Sequence, residues 1–165
     1  MRVAARLIAA TLLALTAALA FAQAPPKPGP KDLCPVCGML VSKYPNWVAT
    51  VVWKDERVRH FDGAKDLFRY LLELHTYEPG RRRAEIKMLT VTDFYNLEKI
   101  DARQAWYVIG SNVLGPMGHD MVPLASRADA DDFLKDHKGR TILRFEDITA
   151  KTLVLLENGT FEATR

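Results

Sequence analysis

The sequence predicts an α+β fold: a single domain of two related, packed ββα-type units. Three observations lead there. Short runs rich in β-branched and aromatic residues come with polar turns between them. Each set of runs is followed by a capped segment whose apolar residues recur at helical spacing. The two sets share this order along 165 residues, about one domain's worth of chain and enough for a real core.

Taken in order, residues 1–22 stand apart from the fold. Arg2 and Arg6 make a positive n-region, Leu7 to Ala20 is apolar apart from Thr11 and Thr16, and Ala20-Phe21-Ala22 is a small-x-small cleavage pattern. These are the parts of a secretory signal peptide, and the apolar run is short of the ~20 residues that span a membrane. Export is expected, with a mature chain starting near Gln23 and no stable membrane anchor beyond the signal. Residues 23–31 hold Pro25, Pro26, Pro28, Gly29 and Pro30, and read as an extended tether. The domain spans 32–157, and 158–165 is a loose tail.

Within the domain, Trp47 to Trp53 is a strand, Lys54-Asp55-Glu56 a turn, and Arg57 to Phe61 the returning strand of a hairpin. Asp62 is placed to cap a helix whose apolar stripe is Leu67, Phe68, Leu71 and Leu72, and which ends before Pro79-Gly80. Further strands are expected at Glu85–Thr92, Ala105–Gly110, Met121–Ala125 and Thr141–Phe145. Ser126 with Asp129 resembles a capping box for a helix from Arg127 to His137, with Gly139 as its C′ residue. Ile148–Glu157 reads better as helix than as strand. Asp62 to Phe68 loosely answers Ala128 to Leu134, which is the internal repeat behind the two-unit fold.

The chemistry concentrates in Cys34-Pro35-Val36-Cys37-Gly38-Met39, which contains the chain's two cysteines. A Pro inside and a Gly behind a Cys-x-x-Cys make a tight knuckle that turns both sulfurs toward one point. Thiolate with thioether favours Cu(I), whereas thiolates alone suit zinc as well. A disulfide between the pair would close too small a loop to gain much entropically. A second cluster, Met117-Gly118-His119-Asp120-Met121, sets three soft or borderline donors at i, i+2 and i+4, which an extended segment projects from one side. His60, beside Asp62 in an alternating strand, reads mainly as a half-buried strand residue. His75 and His137 sit at helix ends, where the dipole favours them.

Other function classes find little support. Removing Arg2 and Arg6 lowers the formal charge from +3 to +1, too small for nucleic-acid binding as the main task. No Gly-x-Ser-x-Gly elbow or phosphate-binding Gly-rich loop is present. Thiol–disulfide exchange through Cys34 and Cys37 would need a strand before the motif and a helix behind it, and a proline-rich tether and Gly38 stand there instead. A structural zinc knuckle would need two more ligands, with His119 and His60 the obvious candidates.

Cys-x-x-Cys-Gly-Met close behind a signal sequence, Phe61-Asp62-Gly63 before a helix, and Met-Gly-His-Asp-Met-Val-Pro together resemble the NosL family over about Asp32 to Thr152. That resemblance implies an exported Cu(I)-binding chaperone without turnover of its own. It would serve a client copper enzyme, by family nitrous oxide reductase, alongside other copper-trafficking proteins. It implies an α+β fold of two related halves. Carried over by position, the metal site would hold Cys37, Met39 and Met117, with Cys34, His119 and Met121 as further candidates. Family members are commonly lipoproteins with a Cys at the cleavage site. Ala20-Phe21-Ala22-Gln23 has none, which implies a soluble periplasmic protein or one held by an uncleaved signal.

Overall fold

The structure is a computed structural model that describes residues 24–161. The expected signal peptide, residues 1–22, and the last four residues of the expected tail lie outside the described residues. No helix among the described residues is long and apolar enough to cross a membrane.

Two antiparallel sheets carry the fold. β1 (Ala49–Trp53) and β2 (Val58–Phe61) form the expected hairpin, with Ala49 opposite Phe61 and Val52 opposite Val58. β3 (Ile86–Thr92) pairs with the other side of β1, and a short β4 (Lys99–Asp101) adds to β3, giving the order β2-β1-β3-β4. The second sheet has the order β8-β5-β9, from β5 (Trp106–Ile109), β8 (Val122–Leu124) and β9 (Thr141–Arg144). Between β5 and β8 a small hairpin, β6 (Leu114–Gly115) and β7 (Gly118–His119), turns at Pro116-Met117.

The helices complete a repeated topology. α1 (Ala64–Leu72), followed by the single turn α2 (Leu74–Tyr77), carries the chain from β2 to β3. α3 (Arg127–Asp136) does the same from β8 to β9. In each half a central strand pairs with the next strand of its own sheet, a helix crosses, and the following strand returns to the central strand's other side. The expected ββα units are thus two ββαβ units. The loose match between the halves coincides with shared buried positions, Ala64 with Ala130 and Leu67 with Phe133. The last expected helix is α4 (Ala150–Asn158), which ends at Gly159 in a left-handed conformation.

One helix is buried almost all round. Ala64, Leu67, Phe68, Tyr70 and Leu71 of α1 lie in the main core with Val51, Leu89 and Val91 of the first sheet. Phe68 also meets Tyr107 of β5 edge to face at 5.1 Å between ring centroids. α1 therefore lies between the two sheets. Tyr107 and Ile109 face that core, while Val108 between them joins a smaller cluster with Ala130 and Phe133 of α3. Period-two alternation along β5 makes the second sheet a partition with an apolar face on each side.

Local expectations change at the end of α3 and in the shortest elements. Gly139 does not take the left-handed position behind α3; Lys138 does, at φ 56°. The hydrogen bond from Gly139 N–H to the Leu134 carbonyl, one residue later, closes the helix end. β4, α2 and the β6–β7 hairpin were not expected, because segments this short lack a readable period. Ser126 is the cap of α3 as expected, its Oγ accepting the Asp129 N–H at 3.1 Å.

Candidate metal centre

The cysteine knuckle closes through its own backbone. Gly38 N–H donates to the Cys34 carbonyl at 2.9 Å, and Cys34 N–H donates to the Met39 carbonyl at 2.9 Å. Gly38 takes φ +76°, the conformation a side chain resists. An isolated bridge between Leu33 and Leu40 ties off the base. The turn is thereby held with both thiols facing the N-terminal end of α1.

Two carboxylates meet those thiols there. Cys34 Sγ donates to Asp66 Oδ2 at 3.2 Å, and Cys37 Sγ donates to Asp62 Oδ1 at 3.3 Å. The two sulfurs and one oxygen from each carboxylate all lie within 4.8 Å of one another. Cys34, Asp62 and Asp66 are buried and Cys37 is partly open. Asp62 Oδ2 is buried and has no hydrogen-bond partner among the described residues. A buried carboxylate oxygen left unpaired is costly, so this atom marks a position that favours a cation.

Asp62 does not cap α1, as its place in the sequence suggested. The N-cap is Gly63, which has no side chain to give, and Asp62 turns to Cys37 instead. The first turn of α1 is served from elsewhere: Lys65 N–H donates to Asp120 Oδ1 at 2.8 Å.

Burial dominates the electrostatics. It pushes the Cys37 thiol up to about 12 and Cys34 higher still. It also raises Asp66, whose carboxylate the two thiols partly stabilise. Asp120, fully enclosed, is raised to about 7 by burial against the opposing pull of the Lys65 backbone bond. Both thiols are therefore protonated at neutral pH until something displaces their protons.

A cleft of about 540 Å³ opens on the cluster. Cys37 and Asp66 line it together with Met117, Gly118 and His119 of the β6–β7 hairpin. The hairpin and the knuckle, some eighty residues apart in sequence, thus share one opening. Met117 is 46% exposed, and His119 is half-buried with its ring against Phe161 at 5.1 Å. Arg69, Tyr77 and Glu157 form the rim, with Arg69 paired to Glu157 and Glu73.

The expected residues divide accordingly. Cys34, Cys37, Met117 and His119 are brought to the cluster or its cleft. Met39 is half-buried on the knuckle but does not line the cleft. Met121 is fully buried in the main core, so Met117, His119 and Met121 do not project from one side. The turn at Pro116-Met117 and two successive buried residues, Asp120 and Met121, break the alternation that reading required. His60 faces Thr50, with 3.0 Å between Nδ1 and Oγ1, and burial lowers its pKa. Sequence reasoning missed Asp62 and Asp66 as donors. Their signal was an i, i+4 spacing that sets them one turn apart at the start of α1, hidden because Asp66 reads as ordinary polar face.

Known proteins resemble the chain over most of its length. The NosL family model matches residues 25–153. The copper-binding lipoprotein NosL of Stutzerimonas stutzeri is 31% identical over 126 residues, covering 71% of this chain and 62% of that protein. The chain thus spans less than two thirds of that relative's length. The crystal structure of the copper chaperone NosL from Shewanella denitrificans superposes with a TM-score of 0.61 at 30% identity, covering 77% of this chain and 99% of that one. A solution structure of apo-NosL from Achromobacter cycloclastes is 25% identical, with a TM-score of 0.46 and 64% and 87% of the two chains covered. With more than half of its length matched by the family model and its fold superposable on a solved member, the chain belongs to the NosL family.

Proposed function

We propose that this protein is a periplasmic copper chaperone that binds Cu(I) at the knuckle and passes it to a client copper enzyme. By family, that client is nitrous oxide reductase. The observation that carries the reading is the convergence of two thiols and two carboxylates, with one buried oxygen unpaired among the described residues, on a cleft that a methionine also lines. Cys37 and Cys34 supply thiolate. Thioether comes from Met39 on the knuckle and Met117 on the hairpin, with His119 beside it. Met121 is left to the core. Soft sulfur donors hold Cu(I) in preference to harder ions. The partly open Cys37 edge lets an incoming client ligand displace one donor at a time, so copper leaves by exchange and not as a free ion. No turnover belongs to the chaperone itself.

The raised thiols weigh against thiol–disulfide exchange. A reactive cysteine has its pKa lowered toward neutrality, and both thiols here move the other way. The zinc knuckle with His60 and His119 finds His60 engaged with Thr50.

The test is Cu(I) titration of the reduced mature protein against a competing chelator. One tight equivalent is expected. Cys37→Ser should abolish it and Cys34→Ser only weaken it. Met117→Ala and Met39→Ala should each cost more than about tenfold, or ~1.4 kcal/mol. Stoichiometric zinc retained through purification, with unfolding on chelation, would replace this reading by the structural knuckle. Loss of disulfide-reducing activity in both cysteine variants would replace it by the oxidoreductase.

A further inference from the structure

We propose that Lys65 and Asp120 are positioning residues: a reciprocal clamp that holds the β6–β7 hairpin, and with it Met117 and His119, over the Cys37–Asp66 edge of the metal centre. The proposal rests on the reading above, that the hairpin contributes to copper binding.

The clamp is visible as three hydrogen bonds that cross between the segments in opposite directions, with a fourth that is local to Asp120. Lys65 Nζ donates to the carbonyl oxygens of Met117 and His119, at 3.0 and 2.9 Å. Asp120 Oδ1 accepts the backbone N–H of Lys65 at 2.8 Å and that of Met121 at 2.7 Å. Each segment thus lends a side chain to the other's backbone. Lys65 and Asp120 are both buried. Burying a lysine ammonium is costly unless its N–H groups are bonded, and here the carbonyls of Met117 and His119 accept from it.

Two glycines make room for this arrangement. A Cβ at Gly63 would sit inside van der Waals contact of Asp120 Oδ2, and one at Gly115 would meet Asp120 Cβ and Oδ2 at 2.9 Å. Gly63 has an extended φ of −163°, so it is glycine for closeness and not for conformation. Asp120 is wedged between the N-cap of α1 and the first strand of the hairpin. The motif pieces Asp62-Gly63 and Gly118-His119-Asp120 therefore have a joint explanation: the first presents the metal-facing carboxylate, and the second locks the hairpin to the same helix turn.

The sign of the effect separates positioning from plain electrostatics. Removing the Lys65 charge beside Asp66 would by itself strengthen cation binding. Releasing the hairpin would weaken it. Lys65→Met is expected to weaken Cu(I) about tenfold in chelator competition. It should also speed amide exchange at Gly118 and His119 by about tenfold or more, while the amides of β1 and β3 hold their protection. Lys65→Arg, which keeps the cation, should recover much of both. In a Met117→Ala, His119→Ala background the weakening by Lys65→Met should disappear and leave only the slight tightening that loss of the charge gives, because the clamp acts only through those residues. Unchanged hairpin exchange, or tighter copper binding in Lys65→Met, would overturn the clamp. Wild-type copper affinity in Met117→Ala, His119→Ala would overturn the underlying reading instead, and leave the exchange result to judge the clamp as a purely structural lock. Asp120→Asn, which keeps the acceptor oxygen, controls for misfolding: it should fold and retain slow exchange, and fast exchange there would also count against the geometry.

Discussion

At the scale of single residues, the metal centre is a balance between burial and donor chemistry. Cys34 and Cys37 are held as thiols by desolvation, yet each already points its proton at a carboxylate. Binding a soft cation must expel those protons, so apparent affinity rises with pH for as long as the free thiols remain protonated. With Cys37 raised to about 12, that condition covers the whole neutral range. Chelator competition between pH 6.5 and 8 should give a slope near two decades per pH unit if both thiolates bind copper, and near one if only Cys37 does. In Cys34→Ser the slope should fall to one. A flat profile would mean that thiolate is not what holds the metal.

At the scale of elements, α1 and α3 occupy equivalent places in the two units but are capped differently. α3 carries its own Ser126 cap and stands on the far face of the second sheet, in the smaller apolar cluster. α1 starts on a bare glycine and borrows Asp120 from a segment that lies fifty-five residues on. Self-sufficiency fits a structural helix, and borrowing fits a helix whose first turn must leave Asp62 and Asp66 for the thiols. Ser126→Ala should therefore cost about 1 kcal/mol in denaturant unfolding and leave Cu(I) affinity unchanged. A change in copper affinity would show that α3 is coupled to the site.

At the scale of the whole molecule, the two units are fused through α1. Phe68 reaches Tyr107 of the second sheet at 5.1 Å and Phe145 at 5.0 Å between ring centroids, from a helix that otherwise belongs to the first unit. Neither unit can bury its inner face without that helix, so the domain should unfold in one cooperative step. Phe68→Ala should cost about 3–5 kcal/mol and keep a single transition, followed by circular dichroism and tryptophan fluorescence together. Two separated transitions in the unmodified protein would mean that the halves are stable apart.

Local order was readable from the sequence because its signals are local. The β-branched and aromatic content of Trp47–Trp53, the helical spacing of Leu67, Phe68 and Leu71, and the Ser126 cap each lie within a few residues, and each became the element expected. The soft-donor chemistry of Cys34, Cys37 and Met117 was readable for the same reason, since ligand type is a property of the residue. Convergence was not. Asp66 and Lys65 look like the solvated face of an amphipathic helix until the knuckle and the β6–β7 hairpin cover them. Met121 looks like a donor until the hairpin turn places it in the core. Which polar side chains are buried, and therefore which must find a partner or a metal, depends on what packs over them. Here that was decided by one helix lying between two sheets.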